Sequence, residues 1–372
     1  LSTTEIRYVY YSETHKVLGR TFGMAILQDF EAITPNILAR TIETVRGGGL
    51  IVLLLTGQAS ISDLSALSMD IHTRYGASSN VTPRFNKRLV LSLSDNHNCI
   101  VVDDRLDVMP VYQHLLDVRP VKPMETEDEM TVLRERYQDV DVLRDILAIT
   151  VTVDQAQCVI DLFETLREKT LSTTIALTAA RGRGKSAALG LVVASSIALG
   201  YSNVFVTAPA PENVGTLFEF AVKGLEAFGM KEHQDYDLVQ TTRTEFGRAV
   251  VRINVHQTHR QTVQYILPTD TAQLGQAELV VVDEAAAIPL PTVRALLGNY
   301  TVMLSTTTNG YEGTGRSLSL KLIKELRDGV STYAHGRTLK ELELTRPIRY
   351  AAGDAVETWL NHLLCLDASP TL

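Results

Sequence analysis

Residues 181–186 combine two arginines, two glycines, a lysine and a serine in the spacing of a phosphate-binding loop. The template for such a loop is G-x-x-x-x-G-K-[ST], placed between a strand and a helix. Ala179 stands at the first glycine position, and the remainder of the template is matched. Gly182 and Gly184 allow the backbone to turn so that successive N–H groups converge on an anion. The alternative interpretation is a basic turn without a ligand.

Two side chains of this loop carry the chemistry that a nucleotide site needs. Lys185 places a positive point charge where the β- and γ-phosphates of a nucleotide would lie. The hydroxyl of Ser186 is a ligand for Mg²⁺. The following helix adds the partial positive charge of its N-terminus. The loop therefore predicts a site for ATP and Mg²⁺.

An acidic pair, Asp283 and Glu284, follows the apolar run at residues 278–282. Carboxylates at the C-terminal end of a buried parallel strand point into the crevice where open α/β sheets bind ligands. Asp283 would hold Mg²⁺ directly or through water, and Glu284 would orient or deprotonate the attacking water. The alternative is an acidic pair that only caps a helix. A phosphate loop and an acidic strand end in this order favour an ATPase.

Two further residues are candidates for the same site. Gln155 lies at the start of a predicted helix, where its amide can pair with the adenine edge. An ordinary exposed glutamine at a helix start explains it equally well. Arg349 is a candidate arginine finger, because a guanidinium stabilises charge on the transferring phosphoryl group. From the residues alone, a surface salt bridge is the better explanation for Arg349.

The elements that must position these residues form a β-α-β rhythm typical of α/β folds. In the second half of the chain we predict strands at residues 174–178, 203–207, 278–282 and 301–305, and a helix at 187–199. The polar, glycine-rich loop after the last of these strands, which ends near Ser317, could sense hydrolysis. The strands are short and apolar, as expected for a buried parallel sheet.

The first half of the chain repeats this rhythm. The predicted strands lie at residues 6–11, 50–55 and 98–102, and a helix at 34–45 has Thr34 as its N-cap and Pro35 at its first position. The three glycines at 47–49 are predicted to end that helix. Residues 119–149, with two prolines and a run of acidic residues, are predicted to be a solvated linker.

The composition limits the class of protein. The chain has 372 residues, 45% of them hydrophobic and 21% charged, which is typical of a soluble protein of two domains. No apolar run reaches the ~18 residues of a transmembrane helix. The three cysteines, Cys99, Cys158 and Cys365, lack metal-binding spacing and indicate a reducing compartment. A net charge of −8 means that any contact with RNA must use local basic patches.

Several long segments together resemble the RNA cytidine acetyltransferases, most closely the eukaryotic, nucleolar branch. They are residues 178–190 around the phosphate loop, 275–291 around the acidic pair, 309–322 after it, and 7–19 and 21–24 near the start. The resemblance covers nearly the whole chain. Ala179 is no departure, since members of the family also lack that glycine.

The resemblance implies an α/β chain with an N-terminal Rossmann-like parallel-sheet domain at residues 1–118, a linker at 119–149, and a RecD-like P-loop NTPase domain at 150–372. It implies that Lys185, Glu284 and Arg349 act in catalysis, and that Ser186 and Asp283 hold the metal. The implied nucleotide-binding set is Gln155, Arg181, Gly182, Arg183, Gly184, Lys185, Ser186, Ala187 and Arg349.

The same resemblance implies the activity of the whole protein. Members of the family form N4-acetylcytidine in small-subunit (18S) rRNA and in tRNA, using acetyl-CoA and ATP. The expected partners are the small-subunit rRNA precursor, tRNA, box C/D snoRNAs, small-subunit processome proteins and a THUMP-domain tRNA adaptor, in the nucleolus. A homodimer is a further expectation, and no membrane is expected.

The acetyl-CoA signature of a GNAT domain, [QR]-x-x-G-x-[GA], is not found in this sequence. The first residue is Leu1, so we expect the chain to be a fragment of a longer protein whose GNAT domain lies beyond it.

Two other functions remain open at this point. A translocating RNA or DNA helicase would need a second RecA-like lobe, and the sequence shows one phosphate-loop core. A preribosome assembly factor would use ATP as a conformational switch. RNA-stimulated hydrolysis without unwinding would favour the acetyltransferase module, directional unwinding the helicase, and nucleotide-dependent RNA binding without turnover the assembly factor.

Overall fold

The computed structural model describes residues 6–17, 20–55, 84–94, 96, 98–109, 127–170, 172–242, 249–307, 323–328 and 337–366. The chain divides into two compact units, one of Leu1–Met124 with Arg349–Leu372 and one of Glu125–Ile348. No helix among the described residues has both the length and the apolar character needed to cross a membrane.

The N-terminal unit contains a parallel β-α-β motif. Strands β1 (Phe22–Leu27) and β2 (Val45–Leu53) pair in parallel and are connected through helix α1 (Pro35–Ile42). As predicted, Thr34 is the N-cap of α1, and its hydroxyl accepts a hydrogen bond from the Ile37 N–H at 3.3 Å. Helix α2 (Arg84–Ser94) follows. The core of this unit is apolar and lies among these elements: Leu27, Phe30, Ile33, Leu38, Ile42, Leu89, Leu360 and Leu363.

Three predictions for this unit were wrong. Residues 6–10 are not a strand, and Tyr11–Val17 form a 3₁₀ helix. The glycines at 47–49 lie inside β2, where the pairing with β1 shifts register and Gly48 takes a φ of 73°. Val102 forms an isolated antiparallel bridge with Val108 instead of belonging to a strand at 98–102. A segment of alternating polar and apolar residues forms a strand only when a partner strand pairs with it, and the local sequence does not show whether such a partner is present.

The second unit is built on one eight-stranded sheet. Its strand order is β10-β3-β9-β8-β4-β7-β6-β5. The six strands from β10 to β7 are parallel to one another, and β6 is antiparallel to its two neighbours. The strands are β3 (Thr173–Ala179), β4 (Asn203–Thr207), β5 (Tyr236–Gln240), β6 (Val250–His256), β7 (Arg260–Tyr265), β8 (Leu279–Val282), β9 (Thr301–Thr307) and β10 (Thr338–Leu344).

Helices cover both faces of this sheet. They are α3 (Glu127–Arg136), α4 (Asp141–Leu147), α5 (Val153–Arg167), α6 (Lys185–Ala198), α7 (Gly215–Ala227), α8 (Leu290–Ala295) and α9 (Lys324–Asp328). One face packs its apolar residues against α6 and α7, with Leu189, Val192 and Phe218 fully buried. The opposite face packs against α8, with Val293 fully buried. The sheet is therefore covered as a mostly parallel sheet requires.

The four strands predicted for the second half of the chain are confirmed, with bounds that differ by up to two residues. The predicted helix at 187–199 is also confirmed, as α6. Of the polar, glycine-rich loop predicted to sense hydrolysis, Thr306 and Thr307 belong to β9, and the remainder lies outside the described residues.

The predicted linker at 119–149 contains two helices, α3 and α4, that belong to the second unit. Met130, Leu133 and Leu143 are buried there in one apolar cluster. Glu129, Glu135 and Arg136 lie on the exposed side of α3, since an amphipathic helix needs one polar face. The last 24 residues also depart from the predicted boundary, because Arg349–Leu372 group with the N-terminal unit.

Candidate nucleotide site

The phosphate loop connects the end of β3 to the start of α6 and depends on two glycines. Gly182 and Gly184 have φ angles of 71° and 81°, in the left-handed region that other residues rarely adopt. A Cβ at Gly184 would also lie 2.4 Å from Ile348 Cδ1 and 2.7 Å from Gln155 Nε2. Helix α6 begins at Lys185, so its unpaired first-turn N–H groups face this loop.

Hydrogen bonds hold the loop against the residues that follow β10. The Arg183 guanidinium donates through Nε to Thr345 O at 2.9 Å and through Nη1 to Arg181 O at 3.1 Å. The Ile348 N–H donates to Gly182 O at 2.9 Å. Arg183 thus fixes the shape of the loop, a role that the sequence template did not specify.

Gln155 lies under the phosphate loop and is only 2% exposed. Its Oε1 accepts from the Val151 N–H at 3.0 Å, and its Nε2 donates to Gly184 O at 3.4 Å. These contacts give the amide a role in supporting the start of α6. Asp154, which the sequence interpretation passed over, accepts from the N–H groups of Thr345 and Arg346 at 2.8 and 2.7 Å.

Lys185 is buried at the head of α6. Its ammonium lies 3.5 Å from Ala179 O and 3.4 Å from Ala180 O, at the point where β3 enters the loop. A lysine with only 7% of its surface exposed and carbonyl partners in the loop is held inside the phosphate cradle. The ammonium is therefore placed where it can contact an anion on the loop.

Asp283 follows β8 and is fully buried. Its N–H donates to Thr207 O at 2.9 Å, and its Oδ1 accepts from the Glu284 N–H at 3.0 Å. Burial, together with the charge of Glu284, raises the pKa of the Asp283 carboxyl, while Ser186, Lys185 and Ser305 oppose that increase.

The other carboxylate oxygen of Asp283 fits a metal ligand. Oδ2 is buried and has no hydrogen-bond partner among the residues that the structure describes. A buried polar atom without a partner is costly, and a bound cation would offset that cost. Mg²⁺ commonly uses one or two carboxylates with phosphate oxygens and water. Asp283 and Ser186 are thus the residues that would hold Mg²⁺.

Glu284 is half-buried beside Asp283, with a backbone of φ 49° and ψ 43° that is unusual for a residue other than glycine. Its Oε2 accepts a hydrogen bond from the Thr307 hydroxyl at 3.3 Å. A residue in the left-handed conformation directly after the strand turns the chain, so the carboxylates of Asp283 and Glu284 can contact different groups.

The sheet brings the two motifs to one edge. A single strand, β9, separates β3, which leads into the phosphate loop, from β8, which leads to the acidic pair. All three run in parallel, so their C-terminal ends meet at the same edge. The structure therefore gathers Gln155, residues 181–187, Asp283 and Glu284 in one unit.

Arg349 is placed differently. It belongs to the N-terminal unit, where its guanidinium donates to Glu43 O and, through Nε, to Thr21 Oγ1 at 3.2 Å. Its carbonyl accepts from the Gly47 N–H at 2.8 Å. The described contacts of Arg349 thus lie among N-terminal residues, and its role as an arginine finger stays a prediction.

Ser305 was missed as a site residue, and Thr307 was predicted only as part of the polar loop that could sense hydrolysis. Both lie on β9 and share one face of the sheet with Met303, which packs beside Val281. The signal was available in part, because residues two apart on a strand face the same side. The sequence did not reveal that this strand lies between β3 and β8.

The strand order, the phosphate loop and the acidic strand end define an α/β protein of the P-loop nucleotide-binding class. The model of the RNA cytidine acetyltransferase NAT10/TcmA helicase domain matches residues 176–367, more than half of the chain. The model of the tRNA(Met) cytidine acetyltransferase TmcA N-terminal region matches residues 2–104. The chain belongs to the RNA cytidine acetyltransferase family, as the resemblance predicted.

Curated relatives agree with this assignment. RNA cytidine acetyltransferase of Mus musculus is 52% identical over 392 residues, which cover 99% of this chain and 38% of that protein. The Saccharomyces cerevisiae protein is 50% identical over 399 residues, with 99% and 38% covered. RNA cytidine acetyltransferase 1 of Arabidopsis thaliana is 47% identical, with 100% and 38% covered. The chain thus spans well under half the length of these relatives.

Solved structures match only weakly. The large terminase ATPase domain of Thermus phage P74-26 gives a TM-score of 0.34 at 14% identity, covering 64% of this chain and 90% of that one. A large terminase from a thermophilic bacteriophage gives 0.36 at 9% identity, covering 51% and 45%. At these scores the matches carry no argument, and the fold class rests on the architecture described above.

Proposed function

We propose that this chain binds ATP with Mg²⁺ and hydrolyses it, as the ATPase module of an RNA cytidine acetyltransferase. The observation that supports this most directly is the buried Oδ2 of Asp283, which has no hydrogen-bond partner in the described part of the chain. It belongs to the same unit as the cradle of Lys185 and the glycine turns at Gly182 and Gly184. A structural helix cap would not need a buried lysine and a buried carboxylate at one sheet edge.

In this proposal each residue has one task. The loop N–H groups and the first turn of α6 bind the phosphates, and Lys185 neutralises their charge. Asp283 and Ser186 would hold Mg²⁺, which would supply positive charge to the transferring phosphoryl group. Glu284 orients the attacking water and accepts its proton. Gln155 and Arg183 keep the loop in its binding shape.

The finer activity follows from the family and is proposed on that ground. The whole protein would use acetyl-CoA to form N4-acetylcytidine in small-subunit rRNA and tRNA, and ATP turnover in this module would accompany the acetylation. Box C/D snoRNAs, processome proteins and a THUMP-domain adaptor would deliver the RNA in the nucleolus. The arginine-finger role of Arg349 is likewise proposed from the family resemblance, because a guanidinium stabilises charge on a transferring phosphoryl group.

The test compares the chain with Lys185→Ala and Glu284→Gln variants. We expect Lys185→Ala to weaken ATP binding at least tenfold, measured by calorimetry, because it removes the charge that faces the phosphates. Glu284→Gln should keep ATP bound but lower the rate of phosphate release by about 10²–10⁴-fold, the usual contribution of general base catalysis.

Lys223→Ala is the matched control, because Lys223 lies on the exposed face of α7 and pairs with Glu219. It should bind and hydrolyse ATP as the unchanged chain does. Unaltered affinity and turnover in Lys185→Ala would overturn the proposal. In the full-length protein, the same Lys185 variant should lose N4-acetylcytidine formation when RNA, ATP and acetyl-CoA are supplied.

A further inference from the structure

The last residue of β9, Thr307, contacts the candidate general base. Its hydroxyl donates a hydrogen bond to Glu284 Oε2 at 3.3 Å, and Thr307 is only 4% exposed. Thr307 ends β9 and pairs with Ala179 of β3, so its backbone is held from that side by the sheet. The hydroxyl is therefore a fixed donor, which suits a group that orients another side chain.

The register of the sheet places Thr307 beside the phosphate loop. Its partner on β3 is Ala179, the last strand residue before the loop, and Ala179 O is one of the acceptors of the Lys185 ammonium. Thr307 thus lies between the start of the phosphate loop and the Glu284 carboxylate.

Glu284 needs such a partner. Glu284 is half-buried, its backbone is in the left-handed region, and its N–H donates a hydrogen bond to Asp283 Oδ1. A glutamate side chain has several rotatable bonds, and fixing them costs conformational entropy. A general base must be within hydrogen-bond reach of the proton it removes. A donor on Oε2 reduces the rotational freedom of the carboxylate and leaves Oε1 to accept from water.

We propose that Thr307 is a positioning residue for hydrolysis, which holds the Glu284 carboxylate in the orientation that activates water. This inference rests on the proposed ATPase function and assigns a role that is distinct from nucleotide binding. Thr307 acts through Glu284, so its loss lowers the rate of hydrolysis and leaves the affinity for ATP unchanged. Because Thr307 belongs to β9, which pairs with β3, the orientation of the Glu284 carboxylate also depends on the strand that leads into the phosphate loop.

The test uses Thr307→Val, which keeps the shape of the side chain and removes the hydroxyl. We expect kcat for ATP hydrolysis to fall about 10–100-fold, with KM and the ATP dissociation constant within twofold of the unchanged chain. Thr307→Ser should restore most of the lost rate, because serine supplies the same donor. A residue that only fills space would give neither the separation of kcat from KM nor rescue by serine.

Thr306→Val is the matched control. Thr306 is equally buried and is the next residue on β9, but its side chain lies on the opposite face of the sheet with Leu304. It should hydrolyse ATP at the normal rate. Adding Thr307→Val to Glu284→Gln should cause no further loss, because the two residues then act on the same step.

The outcomes separate this inference from the proposed function. If Glu284→Gln stops hydrolysis while Thr307→Val turns over normally, Thr307 has no positioning role and the ATPase assignment stands. If Thr307→Val loses ATP binding together with hydrolysis, the residue is structural and the inference is overturned. If Glu284→Gln itself hydrolyses ATP normally, the assignment of Glu284 fails, and the role of Thr307 fails with it.

Discussion

The buried carboxylate of Asp283 lowers the stability of the folded protein, although its position suits metal binding. It is fully buried, and one of its carboxylate oxygens lacks a partner, so the folded protein without metal holds a poorly solvated charge. Burial and the nearby Glu284 raise its pKa above the ordinary value of 3.8. Residues placed for ligand binding often carry such a cost in the absence of the ligand.

A prediction follows for Asp283→Asn in the nucleotide-free, metal-free protein. The unfolded chain loses the Asp283 proton near pH 3.8, whereas the folded chain holds it to higher pH, so stability falls as pH rises through that window. The asparagine variant lacks this penalty. We expect its free energy of unfolding at neutral pH to be higher by about 1–3 kcal/mol, measured by urea denaturation between pH 4 and 8.

Asp237→Asn is the control for this measurement. Asp237 is exposed, and its pKa is lowered, chiefly by a hydrogen bond from His233 and also by His256. The lowered pKa of Asp237 has the opposite effect on the pH dependence of stability, so the asparagine variant should gain no stability as pH rises. An Asp283→Asn protein that is less stable than the unchanged chain at every pH would contradict the expected penalty.

At the scale of elements, the close packing of α6 on α7 keeps the phosphate-binding helix in place. Gly190 lies where the two helices meet, and a Cβ there would come within 2.3 Å of Leu217 O and 2.8 Å of Phe220 Cβ. Backbone atoms cannot move aside as a flexible side chain can. The glycine thus permits a helix contact that any larger residue would force apart.

We predict that Gly190→Ala lowers the free energy of unfolding by about 1–3 kcal/mol, the usual cost of overpacking. The measurement is a thermal or urea transition in the chain without ligand. Gly215→Ala is the control, since it lies at the start of α7 with a φ of −54° and no atom within 4 Å of the added Cβ. That variant should be neutral or more stable by about 0.4–1 kcal/mol. Equal effects of the two changes on the free energy of unfolding would show that close packing at Gly190 does not contribute to the loss of stability.

At the scale of the whole molecule, the chain order and the spatial units do not coincide. Helix α10 (Ala355–Leu364) comes after the P-loop unit in sequence, yet Leu360 and Leu363 are buried in the core of the N-terminal unit. The indole of Trp359 donates to Ser92 Oγ of α2 at 2.9 Å. The stability of the N-terminal unit therefore depends on residues that lie more than 300 positions after its first strand.

We predict that Leu363→Ala destabilises the N-terminal unit by about 2–5 kcal/mol, the usual cost of removing a buried leucine side chain. Hydrogen exchange should show lost protection in β1, β2 and α2. His362→Ala, an exposed change on the same helix, should leave exchange unaltered. Loss of protection in β3 and β8 instead would mean that α10 supports the P-loop unit.

The sequence alone determined the phosphate loop, the acidic pair, four of the eight strands of the second sheet and the family. These features are local, because glycine conformation, helix caps and short apolar runs are set by neighbouring residues. The order of the strands, which places Thr307 beside both Ala179 and Glu284, was decided by the tertiary structure. So was the inclusion of α3 and α4 in the core of the second unit, and of α10 in that of the N-terminal unit. Pairing between distant segments depends on how apolar faces are buried together, and no local pattern records that choice.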